Sequence, residues 1–181
     1  GGYAGLTAAE KLKADAAANI LITSGAFAAR AGQYSYTDGQ VLMALSVYSN
    51  TGGPDNPNGS VNNVRWAIDR VVDRLVTNQT SSGTCSGYWG YSGGGCDSST
   101  TQFAAAGLSA AKNFYTNKGD PGGRLAGITT ALDRTAAGYT ANAKNGPVNA
   151  QFSDCGAQGC KGHGYQVSYA TPTYQQTASG T

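Results

Sequence analysis

The sequence predicts an all-α protein built from helix pairs, with disulfides stapling the loops between them. Three observations carry that expectation. Apolar residues recur at helical spacing in successive stretches. Gly/Tyr/Trp-rich punctuation separates those stretches and looks alike at three places. The four Cys fall into two close couples, Cys85/Cys96 and Cys155/Cys160, each in a Gly/Ser-rich segment.

Taken in order, Thr7 and Glu10 have the form of a capping box, and Ala8, Leu12, Ala16 and Ile20 continue as a helix to about Ser24. A second helix is expected from about Asp38 to Ser49, with Val41, Leu42, Leu45 and Tyr48 on one face. The Gly/Pro-bearing stretch from Asn50 to Gly59 is a loop. Ser60 is expected to cap the clearest helix, whose stripe runs through Val61, Val64, Ala67, Ile68, Val71, Val72, Leu75 and Val76. On its other side Arg65, Asp69, Arg70, Asp73 and Arg74 read as a solvated face. After a polar loop, Ser98 or Ser99 starts a helix through Phe103, Leu108, Ala111 and Phe114. Asp120-Pro121 reads as a cap followed by Pro at the first helical position, opening a helix through Leu125, Ile128 and Leu132. The stretch from about Asn142 to Ser168 is expected to be loop, and Thr171-Pro172 to restart a helix.

The 181 residues suffice for one domain with a real core. Charged residues make up 12%, about half of the usual ~25%, so contact area must come from Ala and from the 11 Tyr and two Trp. The net charge of +2 is small and the Lys and Arg are scattered, which argues against nucleic acid or an anionic membrane as partner. No apolar run reaches membrane-spanning length. Paired cysteines point to an oxidising compartment, extracellular or periplasmic. An opening at Gly1-Gly2-Tyr3 suits a processed or trimmed start, and a last helix of a few turns suggests a domain incomplete at its C-terminus. Asn58-Gly59-Ser60 and Asn78-Gln79-Thr80 have the form of glycosylation acceptors.

The three similar junctions read Gly32-Gln33-Tyr34-Ser35-Tyr36, Gly87-Tyr88-Trp89-Gly90-Tyr91 and Gly162-His163-Gly164-Tyr165. Each precedes a capped helix, so the Gly permits a tight turn and the ring covers a neighbouring helix end. Gln79 followed by Gly87-Tyr88-Trp89, then Tyr91, Asp97 and Gln102, resembles the glutamine–tryptophan repeat of the terpene cyclase (squalene-hopene cyclase) and protein prenyltransferase superfamily. A weaker echo stands at Gln151 and Gly162-His163-Gly164, with Gly164 in place of the Trp. The resemblance implies helix hairpins arranged as a partial α/α toroid, in which Gln79, Gly87, Trp89, Tyr91, Asp97, Gln102, Gly164 and Tyr165 hold the repeats together. It does not extend to the family's chemistry, because the Asp-x-Asp-Asp acid motif is absent and olefin protonation needs such an acid.

Asp154-Cys155, Cys160 and His163 form the one cluster of metal-ligand types, and the prenyltransferases place Asp, Cys and His on zinc. A Cys155–Cys160 disulfide beside a surface His163 is the favoured alternative, and it leaves no thiolate for a metal. Cys155-Gly156-Ala157-Gln158 also has the Cys-x-x-Gln spacing of the complement-type internal thioester, with Ala157 replacing its Glu. No nucleophilic triad is legible around the single His, and Asp97 reads as a helix cap. No cofactor is expected. The sequence thus points to a secreted, non-catalytic structural or interaction protein that associates with itself or with another protein. The alternative is a ligand-binding or degenerate enzyme domain holding an apolar or glycan ligand in the toroid cavity.

Overall fold

A computed structural model describes residues 2–145 and 161–168. Within them the chain forms five α-helices: α1 (Ala8–Thr23), α2 (Ser35–Asn50), α3 (Val64–Asn78), α4 (Ser98–Lys118) and α5 (Arg124–Asn142). Two short antiparallel pairs interrupt an otherwise helical fold. The first joins β1 (Trp89–Gly90) to β2 (Gly93–Asp97), and the second joins β3 (Lys144–Asn145) to β4 (Lys161–Gly162). The expectation of helix and loop alone is corrected there: glycine-rich segments returning past a helix end pair their backbones instead of leaving them to water. Cys85 and Cys96 are joined as a disulfide across the first of these loops. Cys155, Cys160, Gln151 and Thr171-Pro172 lie outside the described residues.

Capping chemistry sets most helix starts. Thr7 accepts the Glu10 amide through Oγ1, while the Thr7 amide donates to Glu10 Oε2 at 2.8 Å, completing the capping box of α1. Asp97 accepts the Thr100 amide at 2.7 Å to start α4. Elsewhere the sequence expectation shifts. Asn63, not Ser60, caps α3, accepting the Trp66 amide at 2.7 Å, and Val61 is left 97% exposed. Ser60 instead donates its hydroxyl to the Asn62 carbonyl, which bends the chain before the helix. Helix α2 begins at Ser35, one turn earlier than expected, so Asp38 falls inside its first turn. Pro121 sits in a turn ahead of α5, whose first residue is Arg124 after the left-handed Gly123. Asp120 still serves as the cap across that turn, accepting the Arg124 and Leu125 amides at 2.9 Å each.

The helices pack as two rows. In one row α2 and α4 run parallel: Gly39 near the start of α2 meets Phe103 and Gly107, while Asn117 near the end of α4 reaches Asn50 at the end of α2. In the other row α3 and α5 run parallel, Arg124 reaching Asp73 and Gln79 reaching Ala131. Helix α1 lies in the second row, tied to α2 where Tyr48 donates to Asp15 Oδ1 at 2.6 Å. Each row runs antiparallel to the other, as Asp38 at the start of α2 and Arg74 near the end of α3 show. The hairpin α2–α3 is therefore stacked on the hairpin α4–α5 in the same sense. Leu42, Leu45, Ile68, Val71, Leu75, Leu108 and Ile128 fill the space between rows.

The charged side of α3 is not a solvated face. Arg74 and Asp38 are buried, and Arg74 Nη2 bonds Asp38 Oδ1 at 2.6 Å while Nη1 donates to the Ala28 carbonyl at 2.9 Å. Arg70 donates to the carbonyls of Ala28 and Arg30. Arg65 donates to the carbonyls of Lys118 and Gly119, closing the C-terminal end of α4. Asp69 accepts the Tyr115 hydroxyl at 2.6 Å, and burial together with that bond pushes the phenol well above its usual range. Alternating charge on a helix surface is read as solvent-facing by default. Here the three arginines instead satisfy carbonyls at helix ends and loops of neighbouring elements, Asp69 holds Tyr115, and Asp73 alone stays exposed, paired with Arg124.

Candidate functional site

The loops at the start of α2 and α4 gather most of the residues singled out in the sequence. Trp89 is fully buried and donates Nε1 to the Leu75 carbonyl at 2.8 Å, covering the end of α3. Gln79, also buried, donates to the carbonyls of Gly87 at 3.2 Å and Ala131 at 2.7 Å and accepts Arg134 Nη1 at 2.7 Å. Gln79 thus ties α3, its following loop and α5 together. Gly87 adopts φ +89°, and a Cβ there would stand 2.1 Å from the Arg134 carbonyl oxygen, so only glycine lets the loop lie on α5.

The junction at Gly162 repeats the one at Gly87 in space. Thr80 donates its amide to the Tyr88 carbonyl two residues beyond Asn78, and Lys144 pairs with Gly162 two residues beyond Asn142. In that register His163 takes the place of Trp89, and Gly164 and Tyr165 take those of Gly90 and Tyr91. By sequence alone Gly164 aligns with the Trp; backbone pairing shifts the match by one residue. His163 packs edge-on against Tyr139 at 4.9 Å, three residues before the end of α5, as Leu75 stands three before the end of α3. Ala143 follows α5 where Gln79 follows α3. Without an alignment of the loops, the difference in their lengths hides this correspondence from the sequence.

Both junctions then close on the preceding helix of the α2/α4 row. The Tyr91 carbonyl accepts the amide of Ser35, the first residue of α2, at 2.7 Å. The Tyr165 carbonyl accepts the amide of Ser98, the first residue of α4, at 3.0 Å. Ser98 Oγ also donates to the Gly164 carbonyl at 2.9 Å. The side chains meet as well: Tyr36 stacks on Tyr91 at 5.5 Å and lies edge-on to Phe103 at 4.9 Å, Tyr34 lies 5.9 Å from Tyr91, and the Tyr91 and Tyr165 hydroxyls are 3.1 Å apart. Three junctions that are far apart in sequence form one tyrosine cluster. Asp97, the cap of α4, bridges to Gln166 beside it, and Gln102 is partly buried in the first turns of the same helix.

The remaining sequence candidates are placed as follows. Asn58 is exposed in a short turn at φ +52°. Asn78 is buried at the end of α3 with its Nδ2 enclosed, so Asn58 is the acceptor a glycosylating enzyme could reach. No group of three or more His, Cys, Asp or Glu is placed to hold a metal among the described residues. No helix among them is long and apolar enough to cross a membrane.

A pH dependence follows from His163. Burial lowers its pKa below the ordinary imidazole value, so the folded chain takes up this proton less readily than the unfolded chain. Its contribution to stability is therefore present above the ~6.5 of an unshifted imidazole and is lost as pH falls towards the folded value. Melting followed by circular dichroism should show the Tm falling as pH drops below about 7, and His163→Phe should flatten that slope. The chain has a single His, so an unchanged slope in the variant would remove His163 as the cause.

A second feature lies on α3. A cleft of about 520 Å³ opens beside Trp66, bounded by Gln33, Asp69, Asp73, Thr77 and Arg124. Arg124 forks onto both oxygens of Asp73 at 2.8 Å each and reaches Asp69 Oδ2 at 3.4 Å. The Asp73 bond is the main reason the Arg124 guanidinium holds its proton more tightly than usual.

Comparison with family models, curated proteins and solved structures finds no match to this chain. The class it can be assigned on its own geometry is a mostly helical domain of stacked hairpins with a disulfide-bearing loop.

Proposed function

We propose that this chain is a non-catalytic, extracellular repeat module of toroid-like type that assembles with further copies of itself. The observation that carries the reading is the repeated latch, in which a junction tyrosine carbonyl receives the first amide of the helix before it, at Ser35 and again at Ser98. A contact that recurs with the same sense along the α2/α4 row defines a stackable unit, and stacked units bury their apolar faces on neighbours. The leading helices have such faces to bury: Leu12 and Ile20 on α1, and Met43 and Val47 on α2, are exposed. Another copy offers the kind of helix that α4 already offers to α2. The disulfide suits an oxidising compartment, and the loop pattern around Gln79 and Trp89 supports the likeness to toroid repeats.

Light scattering after size exclusion should show mass rising with protein concentration, and electron microscopy should show stacked particles. Replacing Met43 and Val47 together by Lys should return the chain to a monomer with unchanged circular dichroism. A native chain that stays monomeric at every concentration tested would overturn the assembly reading.

A further inference from the structure

We infer that the cleft beside Trp66 binds a neutral sugar residue. Its walls have the parts that saccharide recognition requires. Trp66 supplies a partly exposed aromatic surface, with the Arg70 guanidinium over its ring at 5.6 Å from the centre, and the C–H face of a pyranose can pack on the part that stays open. Asp73 and Arg124 supply planar, fixed hydrogen-bonding groups, and the Asp73 side chain is 57% exposed even while Arg124 occupies both its oxygens. A carboxylate offers about four lone-pair sites, so two remain for adjacent hydroxyls. Gln33 adds an exposed amide at the rim.

Charge selects the ligand class. The lining holds Asp69, Asp73, Arg70, Arg74 and Arg124, and every guanidinium is already engaged: Arg124 by Asp73 and Asp69, Arg70 by the Ala28 and Arg30 carbonyls, and Arg74 by Asp38. Guanidiniums already spent on protein acceptors leave little for an anionic ligand, and Arg124 on Asp73 and Asp69 leaves little for a cationic one, whereas paired donors and acceptors match vicinal hydroxyls. Its volume of about 520 Å³ lies within the range of small-molecule sites. The Asp73–Arg124 pair also borders a second hollow of about 250 Å³ floored by Gly123 and Gly127, so a linear glycan could continue past the first residue.

The test is titration of the intact chain with neutral gluco-, manno-, galacto- and N-acetylglucosamine oligosaccharides, read by tryptophan fluorescence. Trp89 is fully buried, so a change reports Trp66. At least one neutral series should give a saturable change that added salt leaves in place. Trp66→Ala should weaken binding at least tenfold by calorimetry, and Thr77→Arg should do the same by filling the cleft from an exposed position. Thr77→Arg removes no core side chain, so its circular dichroism should be native. No binding by any neutral series up to about 10 mM, a ceiling well above the ~1 mM of weak specific sites, would overturn the inference. So would undiminished binding by Thr77→Arg, or binding restricted to anionic sugars. Oligomeric state is read separately, so this result stands or falls independently of assembly.

Discussion

Replacing Asp38 by Asn should destabilise the fold by about 3–5 kcal/mol, the range for breaking one partner out of a buried ion pair. The carboxylate is fully buried and bonded by Arg74 at 2.6 Å and by Arg30 at 2.8 Å. Removing its charge leaves the buried Arg74 without a counterion, although its bonds to the Ala28 and Phe27 carbonyls remain. A loss of that size is a large fraction of the 5–15 kcal/mol that holds a typical domain together. Urea unfolding should show the midpoint falling sharply, with a slope still proportional to the surface exposed. The double variant Asp38→Leu with Arg74→Met should recover part of the loss, because it removes two of the three clustered charges and leaves Arg30 its bonds to the Ala26, Gly32 and Tyr34 carbonyls. An Asp38→Asn variant within about 1 kcal/mol of the native chain would show that the pair is not structurally important.

Gly39→Ala should cost on the order of 2–3 kcal/mol, against the ~1 kcal/mol gain that Gly to Ala brings inside an unstrained helix. The reason is the distance between α2 and α4. A Cβ on Gly39 would stand 2.2 Å from the Phe103 carbonyl oxygen, and one on Gly107 would stand 2.5 Å from the Gly39 oxygen. Both obstacles are backbone, so relief requires the two helices to move apart and to unpack the buried Leu42 and Ala104. Gly127→Ala is the matched control: it too is helical, but its nearest neighbour would be a Val76 methyl at 3.5 Å, an ordinary contact. That variant should be neutral or stabilised by up to ~1 kcal/mol. Thermal unfolding of the two variants beside the native chain checks the sign, and a Gly39→Ala protein as stable as Gly127→Ala would refute the close crossing.

Where the physics is local, the sequence reading holds. Thr7 with Glu10 and Asp97 with Thr100 need only neighbouring residues to form a cap, and both do. It fails at Ser60 and Pro121, where two adequate starts lie within a few residues of each other. There the choice falls to partners beyond the adjoining turn of helix: Asp55 accepts the Val64 and Arg65 amides, and the Asp120 carboxylate reaches over the Pro121–Gly123 turn. The tyrosine cluster was half legible. Three similar junctions could be seen, but not that Tyr36, Tyr91 and Tyr165 would meet.

The sequence by itself determined the helical class, because apolar spacing and capping residues act within one turn. Loop chemistry likewise marked Cys85 and Cys96 as a couple and Gly87 and Trp89 as junction residues. Only the tertiary structure decided what the charges on α3 are for. Arg65, Arg70 and Arg74 are separated in sequence from the carbonyls and carboxylate they bind, and a side chain's solvation depends on those distant neighbours. The cleft beside Trp66 and the His163–Trp89 equivalence arise in the same way. Each is a relation between separate elements, set by the stacking of one hairpin on the next.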